Sequence, residues 1–448
     1  MKVGFYLTFF RLLASFAFAA FGTALTRTGP SSVLAAQTGG AVIELPPIET
    51  ALARKQLWID FGSTGSSLKK YARRAFILHG GYKEVPVSQG HYTFEFRSEG
   101  SNRTGLRILT GKPRRMVFSK SFSGSDQLLS MLRACDAAVV QTLRIPGFFS
   151  GRLAFLSDQT KSKEIYTGNA LLTSAMPKTN FKKITYNASW SADGRGIFFT
   201  SNRHVFNNVF YLNLGDNRIS TIAKYKGNNL RAAQNPLTGQ VALILSSSGN
   251  PELWLADRAN ARPKRITRNK SNESGPCWSP DGRRLIVTSD ARGKPQLYEV
   301  KLASGTLSRI PTNVSSHCTE ASWNPRDSSK VAFTAAVGGG FQVCLFDFGA
   351  RKSRILTQGT SHSIQPCWVN DGRHLIFTQR SRGGAQRLMI IDTEGGAPSP
   401  RRCTGRASAI VLRPAFFIRG PELLISIFST RQRWRVTPSM GSCFKGFS

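Results

Sequence analysis

Short runs of alternating apolar and polar positions, rich in β-branched residues and parted by Gly, Pro, Asp and Ser, fill the second part of the chain. The clearest unit is Ser274 to Val300, SGPCWSPDGRRLIVTSDARGKPQLYEV. Its pattern predicts a short strand ending in Trp278, a Ser-Pro-Asp-Gly turn, an apolar strand from Leu285 to Ser289, a loop, and a strand from Gln296 to Leu302. Asp281 and Gly282 suit the turn, because both tolerate the positive φ that a tight hairpin needs.

The unit recurs as ASWSADGRGIFFTS around Trp190, AAQNPLTGQVALIL with Gln234 in the tryptophan's place, ASWNPRDSSKVAFT around Trp323, PCWVNDGRHLIFTQ around Trp368 and PAFFIRGPELLIS around Phe416. Successive anchors lie 44, 44, 45, 45 and 48 residues apart. Short strands repeating at that period are the mark of β-propeller blades, each too small to bury its own face and stable only beside its neighbours. Trp190, Trp278, Trp323 and Trp368, with the outer-strand Ile222, Ile266, Ile310 and Ile355, are therefore read as core filling the space between blades. From Gly151 the unit begins in partial form: GRLAFLSD, KEIYTGN and FKKIT read as strands, and the leading tryptophan strand is missing. Propellers close by completing one blade from both chain ends, and Phe416 is the candidate to supply the missing strand. Leu423 to Phe428 and Arg431 to Val436 read as two further strands, which leaves six blades with a carboxyl-terminal extension, or seven.

Ahead of the repeats the period changes. LWIDF, Leu57 to Phe61, reads as a strand. A helix follows from Ser66 to His79, with Leu68, Tyr71, Ala72, Ala75 and Phe76 on one face, Lys69, Lys70, Arg73 and Arg74 on the other, and Gly80 and Gly81 as its stop. YTFEFRSE and GLRILTG read as a hairpin, RMVFSKSF as a strand, and Asp126 to Leu143 as a second helix capped by Ser125 and carrying Leu128, Leu129, Leu132, Ala138 and Val139. The fold class is thus mainly β: a six-bladed propeller, seven being the alternative, preceded by a small α/β domain. The domains expected are a signal peptide and lead-in over 1–36, the α/β domain over 45–148, and the propeller with its extension over 151–440. The first segment carries Lys2, Arg11, an apolar run from Leu12 to Leu25 and small residues at Ala35 and Ala36. It is short of the roughly 20 apolar residues needed to span a bilayer and reads as a secretory signal, cleaved near Ala24 or near Ala36.

Composition changes the picture in one respect. A hydrophobic fraction of 40% is ordinary for a globular protein, but 61 Lys and Arg against 25 Asp and Glu give a formal charge of +36. Nucleic acid would explain that charge by counterion release, yet an exported chain rarely meets it and the arginines are dispersed through turns, so no nucleic-acid partner is expected. Attraction to an anionic envelope surface fits the address better. Seven cysteines show no CxxC or metal-ligand spacing; Cys277 and Cys367 precede blade tryptophans and read as small core residues, whereas Cys403 and Cys443 are free to pair. There is no Gly-x-Ser-x-Gly elbow and no domain large enough to carry a hydrolase triad. GLRILTGKP, Gly105 to Pro113, fails as a phosphate loop, because its spacing is one residue too long and Pro113 stands where Ser or Thr would bind magnesium. Neither enzymatic activity, nor a cofactor, nor a small-molecule substrate is expected.

In order and motif the chain resembles the TolB family of the bacterial Tol-Pal system: a signal peptide, a small α/β domain, the transition LRIPGFFSGRLAFLSD, then blades spelled GPCWSPDGRRLIVTS and GKPQLYEV. The blade pattern is shared with other propellers, including those attached to serine peptidases; the transition joined to a preceding α/β domain is the more specific part. The resemblance implies a periplasmic six-bladed propeller, a monomer, that binds the peptidoglycan-associated lipoprotein Pal at one mouth of its ring. The α/β domain and amino-terminal segment would communicate with a TolA-like protein, and the system would support outer-membrane integrity and envelope constriction at division. The short, divergent amino-terminal domain and the high charge depart from the family.

Family contacts to Pal lie partly in the loops entering each innermost strand, here KGNNLRAAQ, KSNESGPCW, SSHCTEASW and TSHSIQPCW. Six places before the anchors stand Asn228, Asn272, His317 and His362, followed closely by Glu273, Glu320 and Gln365. Such residues would ring a channel mouth and offer donors and acceptors to a partner protein. His317 and His362 at equivalent places suggest a metal, but a site needs three or four converging ligands, and none is expected.

Overall fold

The computed structural model describes residues 56–395, 399–400 and 407–408. The signal segment, the lead-in before Gln56, Phe416, the strands expected at 423–428 and 431–436, and Cys403 and Cys443 lie outside the described residues.

Six four-stranded antiparallel sheets make the propeller. In the third blade the strands are Glu273–Trp278, Leu285–Ser289, Gln296–Lys301 and Thr306–Arg309, ordered from the axis outward. The first, second, fourth and fifth blades repeat this order from Thr185, Asn229, Cys318 and His362. The sixth is stitched from both ends of the domain: Ala407–Ser408 pairs with Arg152–Ser157, followed by Glu164–Asn169 and Ala175–Pro177. Among the described residues the closing strand is Ala407–Ser408, in a register where Ala407 pairs with Ser157 as Glu273 pairs with Ser289. One expectation is corrected here. FKKIT is the loop into the first blade, and the outer strand is Ala175–Pro177 instead.

The tryptophans hold blade to blade, as the sequence predicts. Trp190, Trp278, Trp323 and Trp368 are all buried. Trp278 Nε1 donates to the Ala233 carbonyl of the preceding blade (3.0 Å), and Trp368 Nε1 does the same to Ser322 (3.0 Å). Gln234, in the aromatic's place, keeps the link by another means: its Oε1 accepts from Ala192 N of the first blade (2.9 Å). The Asp-Gly turns add a second tie. Gly282, at φ 67°, offers its carbonyl to Asn235 of the blade before (2.8 Å), and Gly372, at φ 72°, repeats this with Asn324.

Because neighbouring strands are antiparallel, loops alternate between the two sides of the disc. Those following the innermost and third strands fall on one side, here the back face. Those following the second and fourth fall on the other, the front face, where each innermost strand begins.

The α/β domain comprises β1 (Leu57–Asp60), α1 (Ser66–His79), β2 (Tyr82–Glu84), β3 (Tyr92–Ser98), β4 (Arg103–Thr110), β5 (Arg115–Ser123) and α2 (Gln127–Leu143). Its sheet runs β2-β1-β3-β4-β5, with β1 parallel to both neighbours. The short, polar β2 has no clear sequence signal. Asp126 caps α2, accepting from Leu129 N at 2.8 Å, in place of the expected Ser125, which donates to the Asp126 carboxylate. The RIPGFFS link is clamped by Asp136 of α2: its carboxylate accepts from Phe149 N (2.7 Å), Ser150 N (3.0 Å) and Ser150 Oγ (2.5 Å). A Cβ on Gly147 would stand 2.4 Å from Asp136 Cα, so the close approach requires glycine. Phe148 and Phe149 then join one apolar cluster that runs from Phe76 and Phe94 to Leu171 of the sixth blade and Val369 of the fifth. Both of the latter lie in back-face loops, so the α/β domain is seated on the back of the disc.

Candidate functional site

The innermost strands carry a bulge three places before the aromatic. Asn187, Gly275, Glu320 and Gln365 occupy it in the first, third, fourth and fifth blades, all at φ between 54° and 58°, and strand pairing shifts register there. These residues and Arg231 of the second blade line an axial cavity of about 260 Å³ that continues past the tryptophans to Pro236, Pro280 and Pro325.

Of the seven residues expected at the channel mouth, Glu320 and Gln365 line this cavity. The Glu320 carboxylate accepts from Thr334 Oγ1 (2.7 Å) and from Gln365 N of the next blade (2.8 Å). Asn228, Asn272, His317 and His362 stand at or just before the first residues of their innermost strands, on the front face. Asn228 Oδ1 accepts from Asn207 Nδ2 (3.0 Å), and Asn272 donates twice to Asp290 (2.8 Å each). His317 and His362 flank one ring, Phe341, at centroid distances of 5.3 and 5.7 Å, and His362 Nδ1 accepts from Phe341 N (3.2 Å). Burial, then nearby Lys294, hold the His317 imidazole below its ordinary pKa against the pull of Glu320, so it is neutral at pH 7. Glu273 differs from the rest. It is buried, and its carboxylate accepts from Thr267 Oγ1 (2.8 Å), Asn269 Nδ2 (3.1 Å) and Ser289 Oγ (3.2 Å), so it ties the third blade to the loop that leaves the second.

Arg231 was not among the residues expected from the sequence. Its Nε is buried with no hydrogen-bond partner among the described residues, and burial lowers its pKa while Glu320 opposes the shift. The bulge that brings it to the axis is a departure from strand periodicity, which leaves no signal in a one-residue-in-two pattern.

A second polar cluster lies on the back face. His79, Asp371 and His374 are buried, with ligand-type atoms within 4.8 Å of one another. Hydrogen bonding accounts for His374 and Asp371, while His79 Nε2 is buried with no partner among the described residues: His374 Nδ1 meets Asp371 Oδ2 and its Nε2 meets the His79 carbonyl, each at 2.5 Å. Both partners are acceptors, so both ring nitrogens donate and His374 is an imidazolium. Burial opposes that charge, but Asp371 outweighs it and the pKa of His374 is raised; burial and the adjacent imidazolium keep His79 neutral. Arg373 beside them adds positive charge, which disfavours a metal cation there. Among the described residues no helix is long and apolar enough to cross a membrane.

A family model described as the TolB beta propeller domain matches residues 143–406. A TolB homolog from Chlorobium chlorochromatii is 29% identical over 186 residues, which are 41% of this chain and 41% of that protein. The Tol-Pal system protein TolB of Desulfosudis oleivorans is 29% identical over 166 residues, 37% of this chain and 38% of that protein. The aligned part spans about two fifths of the length of these relatives. In fold, the chain is similar to the crystal structure of TolB from Acinetobacter baumannii, with a TM-score of 0.68 at 17% identity, covering 81% of this chain and 98% of that one.

Proposed function

The chain belongs to the TolB β-propeller family, and from that membership we propose a periplasmic, non-enzymatic scaffold that grips a Pal-like lipoprotein at the front mouth of its ring. The observation that carries the reading is the division of labour between faces. The α/β domain is seated on the back, and the front mouth is ringed by Asn228, Asn272, His317 and His362, with Glu320 and Gln365 within. These groups bind without chemistry: none stands as a nucleophile beside a base, and the Phe341 ring between two histidines is an anchor of the aromatic kind that dominates interfaces. The amino-terminal segment and the α/β domain would address a TolA-like protein, and the assembly would serve outer-membrane integrity and constriction at division.

Capture from envelope extracts with the full-length mature protein tests this directly. The expected result is recovery of an OmpA-like lipoprotein and its loss, by about tenfold or more in affinity, in the Phe341→Ala variant. Repeated failure of the wild-type protein to retain any such lipoprotein at low salt would overturn the reading.

A further inference from the structure

The excess positive charge of the propeller is not spread evenly over the disc. On the front face, the loops at 158–163, 178–184, 224–228, 266–272, 290–295 and 381–385 carry twelve Lys or Arg against two Asp, and the remaining described front loops carry no Lys, Arg, Asp or Glu. On the back, the described loops hold nine Arg against seven Asp or Glu, because the Asp-Gly-Arg type of turn brings its own acid. Nine of the twelve front cations are Lys, including Lys182, Lys183, Lys224, Lys226, Lys270 and Lys294, all exposed and none in an ion pair among the described residues. The glutamates near this face do not offset them: Glu164, Glu252 and Glu273 are buried and their carboxylates are already engaged by hydrogen bonds.

The cations form an arc over the sixth, first, second and third blades, with Arg382 as its outlier on the fifth. Within that arc lie four exposed apolar side chains: Ile184, Val205, Phe206 and Tyr225, at 59%, 89%, 65% and 39% exposure. Val205 is the tip of the hairpin joining Gly196–His204 to Phe206–Asn213, and it holds φ 48°, a conformation a β-branched residue adopts only under strain. Ile184 is adjacent through paired hydrogen bonds with Asn202, and the loop of Tyr225 is tied to the hairpin through Asn207 and Asn228. An apolar projection surrounded by unpaired lysines has the layout of a surface that lies on a bilayer, with apolar side chains reaching the acyl boundary and lysines at anionic head groups. Lysine is depleted in protein–protein interface cores, and its hydrated point charge lacks the fork that arginine uses for specific carboxylates, so the composition favours a lipid surface over an acidic protein.

We propose that this arc docks the front face on an anionic phospholipid surface, with Val205 and Phe206 as the inserted tip. The inference rests on loop parity and charge and not on the lipoprotein reading; of the mouth residues, Asn228 and Asn272 border the lysine loops, and the neutral arc around His317, Phe341 and His362 is left to that partner.

Co-sedimentation of the purified mature protein with vesicles tests it, using phosphatidylcholine alone against phosphatidylcholine with roughly 30 mol% phosphatidylglycerol, from about 50 to about 500 mM salt. Binding is expected only to the anionic vesicles and to fall steeply with salt. Lys224→Glu with Lys226→Glu should weaken it by at least about tenfold, and Val205→Ser with Phe206→Ser by about fivefold, while the charge-matched back-face pair Arg258→Glu with Arg262→Glu changes it less than about twofold. Thermal melts matching the wild type confirm that each variant is folded. No binding to anionic vesicles at low salt, or equal weakening by the front and back pairs, would sink the proposal. Retention of soluble polyglutamate without vesicle binding would also overturn it, in favour of an acidic protein. Lipoprotein capture by the front-face lysine variant remains a separate readout, so the two readings fail independently.

Discussion

Asp136 shows how much one side chain carries. It holds the turn of the link between domains through three hydrogen bonds, and burial nevertheless pushes its pKa up to about 6. Its folded pKa is above the ordinary value of 3.8, so the folded protein binds the proton more tightly than the unfolded chain. Its contribution to stability is therefore complete below about pH 4 and is lost as pH rises through about 6. Denaturant unfolding at several pH values should show the wild type losing stability over that window, by no more than about 3 kcal/mol, relative to Asp136→Asn. Parallel curves for the two proteins would show that Asp136 does not titrate there. The sequence marks RIPGFFS as a boundary through its Pro and Gly, but the aspartate that clamps it is one ordinary polar residue in a predicted helix. The blade tryptophans are legible for the opposite reason: a large ring beside a turn, repeated at one period, is what stacked blades require and what few alternative folds would produce.

Among the elements, α1 takes on more than its amphipathic pattern indicates. Its apolar face is where the sequence places it, with Leu68, Ala72, Ala75 and Phe76 buried. The opposite, basic face is only partly free: Arg73 pairs with Glu84, and Arg74 Nη2 donates to the Leu171 carbonyl of the sixth blade (2.7 Å). At its end, the His79 carbonyl receives the His374 imidazolium, a cation at a helix carboxyl terminus, where the helix dipole favours it. That contact joins residues 295 positions apart, and nothing local in either stretch announces it. Because the His374 pKa is raised, the clamp is complete below about pH 6.5 and weakens as pH climbs through the folded value. Hydrogen exchange should report faster opening of the last turn of α1 at alkaline pH, and His374→Gln should show that faster opening already at pH 6, with blades one to three unchanged. A variant indistinguishable from the wild type at both pH values would remove His374 from the interdomain tie. The short β2 and the cap at Asp126 escaped the sequence because three polar residues look like a loop, and because Ser and Asp side by side are both good caps.

At the scale of the whole molecule, the fold class is read from the repeat, whereas the site depends on which loops share a face. Ring, α/β domain and six blades follow from period and pattern. The charge asymmetry follows only once strand order gives each loop its side, after which a dispersed set of lysines becomes one arc. Closure is the other global fact, since the sixth blade needs Ala407–Ser408 as its innermost strand. Ending the chain at Pro400 should lower the melting temperature by about 10 °C or more and broaden the transition; an unchanged melt would show that the ring closes otherwise. Ala407 meets Ser157 across 250 residues, so during synthesis the Arg152–Ser157 strand must wait, one edge bare, until Ala407 has emerged. Vectorial delivery thus cannot yield a finished disc, and the interval before the last strand arrives is when the nascent protein most needs shielding from its own kind.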